Sequence, residues 1–91
     1  MLYELFQIIE DRKANPTDES YTAKLLEEGE DRILQKIGEE AVELILAAKG
    51  QGNRRLVEET ADLFYHILVM LAAKELTLED VEIELRLRHE K

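Results

Sequence analysis

The chain has 91 residues, of which 45% are hydrophobic and only 5% aromatic, with a net charge of −9 and no cysteine. That length is one domain, residues 1–91, with surface enough to bury for one core. The charge, with a pI near 4.7, excludes the basic footprint of a nucleic-acid binder and makes an anionic membrane a poor partner, while the lack of cysteine excludes disulfides and thiolate metal sites and points to the cytoplasm.

The first predicted element is a helix over 2–13. Leu2, Leu5, Phe6, Ile8 and Ile9 make one stripe at helical spacing. The opening MLYELFQIIEDRK has no leading basic region and no cleavage site, so it does not read as a signal peptide. Asn15-Pro16 ends the helix, because a residue before proline avoids helical backbone angles. NPTDES is a polar loop. Ser20 is placed to cap a short helix, YTAKLLEE, which Gly29 stops or bends.

A long helix follows from about Asp31 to Lys49. Gly50-Gln51-Gly52-Asn53 is the clearest turn in the chain. A second long helix runs from about Arg54 to Glu75. Its LFYHILVMLAA stretch (63–73) is too short to span a bilayer. Thr77 caps a last helix, LEDVEIELRLR, with Asp80 three positions on as a partial capping box. That helix keeps Leu78, Val81, Ile83 and Leu85 for packing. One proline and four glycines leave too few turn signals for a sheet. The sum is an all-α bundle with two long central helices, antiparallel because their connection is short.

Both central helices carry acidic residues on otherwise apolar surfaces. At about 100° per residue, Arg32, Lys36, Glu39, Glu40 and Glu43 fall in one arc of the first. Arg55, Glu59, Asp62 and His66 form a narrow stripe on the second, which is otherwise apolar almost all round. A helix like that is buried on more than one side, which implies a second subunit. Counted from the turn, Glu43 and Asp62 come out nearly level. Glu39, Glu40, Glu43, Glu59 and Asp62 can then converge on one cleft.

Taken alone, Glu39-Glu40 reads as a solvated face with helical partners such as Lys36. Five carboxylates in one cleft repel, however, and without compensation some must hold protons. Mg²⁺ resolves this. It prefers oxygen ligands and takes carboxylates together with substrate phosphates. Four or five carboxylates exceed what one ion needs, so more than one ion is expected. A di-iron bundle needs Glu-x-x-His on two helices. His66 is preceded by Leu63 and His89 by Arg86, so that motif is missing. His66 reads as a hydrogen-bonded histidine more readily than as a ligand.

EEAVE (39–43) followed by ETAD (59–62) resembles the Glu-Glu-x-x-Glu … Glu-x-x-Asp signature of the MazG-like all-α nucleotide pyrophosphohydrolases. Within that superfamily the chain resembles the phosphoribosyl-ATP pyrophosphohydrolase family over nearly its whole length. SYTAKLLEEGEDRILQKIGEEAVE (20–43), EETADLFYHILVML (58–71) and LRLRH (85–89) carry the closer match.

The resemblance implies a MazG-like bundle assembled as a dimer or higher homo-oligomer, acting on a small nucleotide. It implies hydrolysis of phosphoribosyl-ATP to phosphoribosyl-AMP and pyrophosphate, the second step of histidine biosynthesis, with Mg²⁺ or, in substitution, Mn²⁺. The implied metal ligands are Glu40, Glu43, Glu59 and Asp62. Glu39 either shares a second ion or takes a proton from water. Lys36 is a candidate for a substrate phosphate. Ser20, Tyr21 and Thr22 are implied near the substrate, and Arg88 and His89 at a phosphate across a subunit boundary. Many relatives carry a fused cyclohydrolase with zinc-binding cysteines. A chain without cysteine is expected to be the stand-alone hydrolase. Two rivals are a house-cleaning nucleoside triphosphate pyrophosphohydrolase of the same fold and a non-enzymatic helical interaction module.

Overall fold

The computed structural model describes residues 1–89. They form five helices: α1 (Leu2–Ala14), α2 (Tyr21–Glu28), α3 (Glu30–Gly50), α4 (Asn53–Ala73) and α5 (Leu78–His89). There is no strand among the described residues, and no helix is long and apolar enough to cross a membrane.

Local chemistry sets the ends of the elements. The Ser20 hydroxyl accepts from the Ala23 N–H at 3.0 Å and caps α2, satisfying a donor that no helical carbonyl reaches. Gly29 separates α2 from α3 with φ of 102°, an angle that favours glycine. Its N–H closes α2 on Leu25 and its carbonyl opens α3 by accepting from Ile33. At α5 the capping box is complete. Asp80 Oδ2 accepts from the Thr77 N–H at 2.9 Å, and Thr77 Oγ1 accepts from the Asp80 N–H at 3.1 Å.

The α3–α4 hairpin is the main body. Gln51 and Gly52 alone connect the two helices, so they run antiparallel. Glu30 at the start of α3 pairs with Lys74 just past the end of α4, while Glu40 in mid-α3 meets Asp62 in mid-α4. The core lies at the open end of this hairpin. There Ile33, Leu68, Val69, Leu71 and Ala72 pack with Phe6 and Ile9 of α1 and Leu25 of α2. Ile9, Leu25, Ile33 and Val69 are essentially removed from solvent, each contributing roughly 1.5–3 kcal/mol relative to an exposed side chain. The Lys13 ammonium fastens α1 to α4 by donating to the Ala72 carbonyl at 2.8 Å.

Three sequence expectations are corrected here. The α1 stripe is narrower than its spacing suggested, because Leu2 and Ile8 are exposed and only Leu5, Phe6 and Ile9 face the core. In α5, Val81, Ile83 and Leu85 are exposed and only Leu78 packs on the core. The run VEIELRLR alternates apolar and polar residues. On a helix that two-residue period spreads the apolar side chains around the cylinder instead of gathering them on one face. Finally, α4 ends at Ala73 rather than Glu75. Glu75 sits at φ 60°, the Leu76 N–H reaches back to the Leu71 carbonyl at 2.9 Å, and the Glu75 N–H to Ala72 at 3.1 Å. This is a Schellman ending with a glutamate where glycine is favoured.

A left-handed residue with a Cβ is strained. Glu75→Gly is therefore expected to stabilise the fold by about 0.5–1 kcal/mol once the extra chain entropy of glycine is subtracted. The check is the urea midpoint, and an unchanged or lower value would refute the strained cap.

Candidate metal centre

Glu59 and Asp62 are three residues apart on α4 and share a helix face. Glu40 faces them from α3. One carboxylate oxygen from each of the three lies within 4.8 Å of the others. The group is graded in depth. Glu59 is buried at 4% exposure, Glu40 is half-buried and Asp62 is open. The cluster therefore has a floor and a mouth.

Each member meets a different local field. Glu59 accepts from Arg55, one turn earlier on α4, through Oε1, and Arg55 also holds Glu58 at 2.9 Å. The second Glu59 oxygen is buried with no hydrogen-bond partner. Burial pushes the Glu40 carboxyl above the ordinary glutamate range. The neighbouring Glu59 and Asp62 carboxylates raise it further, while Lys36 pulls it down. This is the behaviour of like charges forced together. Lys36 Nζ bridges Glu40 at 3.5 Å and Glu39 at 3.6 Å. Burial works against its charge, but Tyr21, Glu40 and Glu39 outweigh that and hold its pKa above the ordinary lysine value.

The donor set suits a hard divalent cation. It is all oxygen, it is anionic, and its deepest atom is a carboxylate oxygen lacking any partner. Of the other expected site residues, Glu39 is exposed and accepts from Gln35 at 3.2 Å. Glu43 is exposed and stands outside the three-carboxylate group. Ser20 is occupied as the α2 cap. Thr22 is buried and shares a hydrogen bond with Tyr65. The Tyr21 hydroxyl lies 3.3 Å from Nε2 of the buried His66. Arg88 pairs with Glu84 at 3.3 Å and lines a groove with Leu71 and Leu76. His89 is exposed at the end of α5.

Sequence reasoning placed Arg55 on the acidic stripe without assigning what it does, and read His66 there as a hydrogen-bonded histidine, which it is. The arginine's role was open to a spacing argument, since Arg55 and Glu59 are one turn apart. The Tyr21–His66 and Thr22–Tyr65 pairs join residues 45 and 43 positions apart, and no local pattern announces them.

The chain is thus an all-helical protein whose two longest helices bring three carboxylates together around a buried, partnerless oxygen. The chain is a member of the phosphoribosyl-ATP pyrophosphohydrolase family, whose profile matches residues 2–89. It is 52% identical over 91 residues to the phosphoribosyl-ATP pyrophosphatase of Pelotomaculum thermopropionicum, covering 100% of this chain and 93% of that protein. The Haloarcula marismortui protein of the same name is 52% identical over 87 residues, covering 93% of this chain and 89% of the relative. That of Clostridium botulinum strain Hall is 49% identical over 87 residues, covering 96% and 79%.

The raised Glu40 pKa has a definite sign in stability. A carboxyl whose folded pKa exceeds its unfolded value contributes stability that is fully present below the unfolded value. That stability is lost as pH rises through the folded one. In EDTA the parent should lose this contribution above about pH 4.3, the ordinary glutamate value. Glu40→Gln should remove that part of the slope. Urea midpoints measured from about pH 4 to about pH 8 decide it, and a parental slope in the variant refutes the assignment.

Proposed function

We infer that the protein hydrolyses phosphoribosyl-ATP to phosphoribosyl-AMP and pyrophosphate, the second step of histidine biosynthesis, at the acidic cleft between α3 and α4. The observation that carries the site is the buried Glu59 oxygen without a partner, set beside Glu40 and Asp62. Membership of the family supports the reaction. The cysteine-free sequence supports a cytoplasmic setting.

In this reading Glu40, Glu59 and Asp62 hold a divalent cation, and the exposed Glu43, one turn on from Glu40, serves a second. Bound Mg²⁺, with Mn²⁺ as a substitute, supplies charge neutralisation for a polyphosphate and acidifies water. The chain's own residues do the rest. Glu39, solvent-facing beside Glu40, is the carboxylate that takes a proton from water or shares a second ion. Lys36, already turned toward the carboxylates by its ion pairs, offers its ammonium to a substrate phosphate. Such chemistry is mostly positioning and charge stabilisation, which suits side chains fixed on two packed helices. Ser20 and Thr22 serve the substrate by placing Tyr21 between them. Arg88 and His89, on a helix that buries none of its residues, serve the site of a second copy.

A homodimer is part of this reading, for physical reasons. The chain exposes 6594 Å², against about 5,500 Å² for a compact monomer of 10.6 kDa. Its radius of gyration is 14.4 Å, against about 12 Å for a compact domain of this length. Val42, Ile45, Leu46, Val57 and Phe64 of the two central helices are all exposed. Phe64 joins two apolar grooves, one walled by Leu56 and Val57 and the other by Tyr3, Val81 and Leu85.

The deciding assay is pyrophosphate release from phosphoribosyl-ATP, beside ATP and the dNTPs, in Mg²⁺ and in EDTA. Metal-dependent turnover of phosphoribosyl-ATP is expected. Asp62→Ala should lower kcat/KM by at least about 100-fold. Millimolar Mg²⁺ should raise the parent's Tm by linkage, and Glu59→Gln should abolish that rise. Preferential turnover of dNTPs would move the protein to the house-cleaning branch. No turnover and no metal response would leave a helical module.

Assembly has its own check. Light scattering should give about twice the 10.6 kDa chain mass, and Phe64→Glu should shift it toward the single-chain value, because a charge in an apolar interface must be desolvated. A parent that scatters as one chain removes the dimer.

A further inference from the structure

One buried titratable group beside the cluster has no part in the chemistry above. His66 follows Asp62 by one turn on α4 and is 5% exposed. Its Nδ1 lies 2.7 Å from the backbone carbonyl of Asp62. A carbonyl only accepts, so Nδ1 carries the hydrogen. In the neutral ring Nε2 is then bare and must accept, and the group facing it is the Tyr21 hydroxyl at 3.3 Å.

Tyrosine has a single hydroxyl proton. With that proton directed at His66, the remaining lone pairs of the phenol oxygen are its only offer to anything else. The ring of Tyr21 is held as well, edge-on to His66 and stacked near Tyr65 with centroids 6.1 and 6.2 Å apart. Yet Tyr21 remains 49% exposed, and its partner His66 is bonded to the Asp62 backbone. Tyr21 stands, oriented and open, at the edge of the acidic cleft.

Building on the functional reading above, we propose that His66 is a positioning residue that makes Tyr21 a hydrogen-bond acceptor toward the substrate. Tyr21 therefore engages a neutral donor of the nucleotide, a ribose hydroxyl or a base amino group, and not a phosphate oxygen. A phosphate oxygen lacks a proton to give, and against the lone pairs of Tyr21 it would be repelled. Lys36 and Tyr21 thus divide the substrate between them, the ammonium taking phosphate and the phenol taking a sugar or base. His66 touches no substrate and acts only through Tyr21.

The test compares the parent with Tyr21→Phe, His66→Leu, His66→Gln and the double variant Tyr21→Phe/His66→Leu. Tyr21→Phe should raise KM for phosphoribosyl-ATP by about 3- to 10-fold, the worth of one neutral hydrogen bond, with the loss falling on KM rather than kcat. It should leave product inhibition by pyrophosphate unchanged. His66→Leu should reproduce that KM, the double variant should be no worse than either single, and His66→Gln, which keeps an acceptor near the place of Nε2, should restore it. A purely structural His66 would lower Tm without moving KM, and that result overturns the proposal. Weaker pyrophosphate inhibition in Tyr21→Phe overturns it too, because Tyr21 would then be reading phosphate. With a 2′-deoxy substrate, loss of the Tyr21→Phe effect assigns the ribose hydroxyl, and persistence assigns another donor. The tautomer is measured without turnover, by long-range ¹⁵N–¹H correlation of the imidazole at about pH 8, above the ordinary histidine range. A proton on Nε2 sinks the proposal whatever the substrate. A parent inert toward phosphoribosyl-ATP sinks the functional reading instead, and the tautomer then decides the role of His66 alone.

Discussion

Everything near the cleft depends on holding three carboxylates within 4.8 Å of one another. Their mutual repulsion, and the desolvation of the deepest, cost several kcal/mol in the absence of compensation. The fold supplies some compensation of its own. Arg55 takes one Glu59 oxygen, and Lys36 leans on Glu40. The compensation is incomplete, since one Glu59 oxygen has no partner at all. A purely structural cluster would be cheaper with an amide in that position, which could both donate and accept. In the proposed reading an external cation would complete the compensation that the protein's own cations leave unfinished, and the deficit that weakens the unliganded fold would become binding energy.

That deficit must be carried by a rigid frame, and the placing of the core provides it. The fully buried residues Ile33 and Val69 lie toward the open end of the α3–α4 hairpin, clamped by α1 and α2. At the other end the helices are tied by a two-residue turn. The carboxylates sit between these two fixed points, where neither helix can drift. The outward faces of the same helices carry Val42, Ile45, Leu46, Val57 and Phe64 in solvent. One chain thus fixes the spacing of its acidic residues well and covers the backs of the helices that carry them poorly.

Much of this was legible in the sequence, and the boundary of legibility has a physical cause. Periodicity and punctuation gave the five helices, the Ser20 cap, the Gly29 break and the antiparallel hairpin. Register arithmetic placed Glu40, Glu59 and Asp62 together. It did not resolve depth. Glu39 and Glu40 are neighbours in one arc of the wheel, yet their side chains are 48% and 14% exposed, because the edge of the helix interface runs between them. Glu43 shares that arc and is exposed. Spacing defines a face, but only the partner helix decides how far along that face water reaches. The alternating run of α5 shows the converse. Its apolar content predicted burial, while its period guaranteed that no single face would have it. Glu75 gave no signal, since a left-handed glutamate is imposed by the chain's need to leave α4 and start α5.

The least local feature is α2. Eight residues are too few for a helix that is stable alone, so its place must come from outside. Leu25 anchors it in the core, Ser20 caps it, and Thr22 and Tyr21 tie it to Tyr65 and His66 of α4. Those last two ties land on His66, the last residue of the acidic stripe, and on its neighbour Tyr65. The short helix is therefore held at its N-terminal end by the same segment that presents Glu59 and Asp62. A ligand that contacts both the carboxylates and Tyr21 bridges α4 to α2, and so strengthens a junction the isolated sequence of α2 could never hold. If Tyr21 engages the nucleotide as proposed, recognition and the ordering of this helix are one event, and the tyrosine at its start serves both.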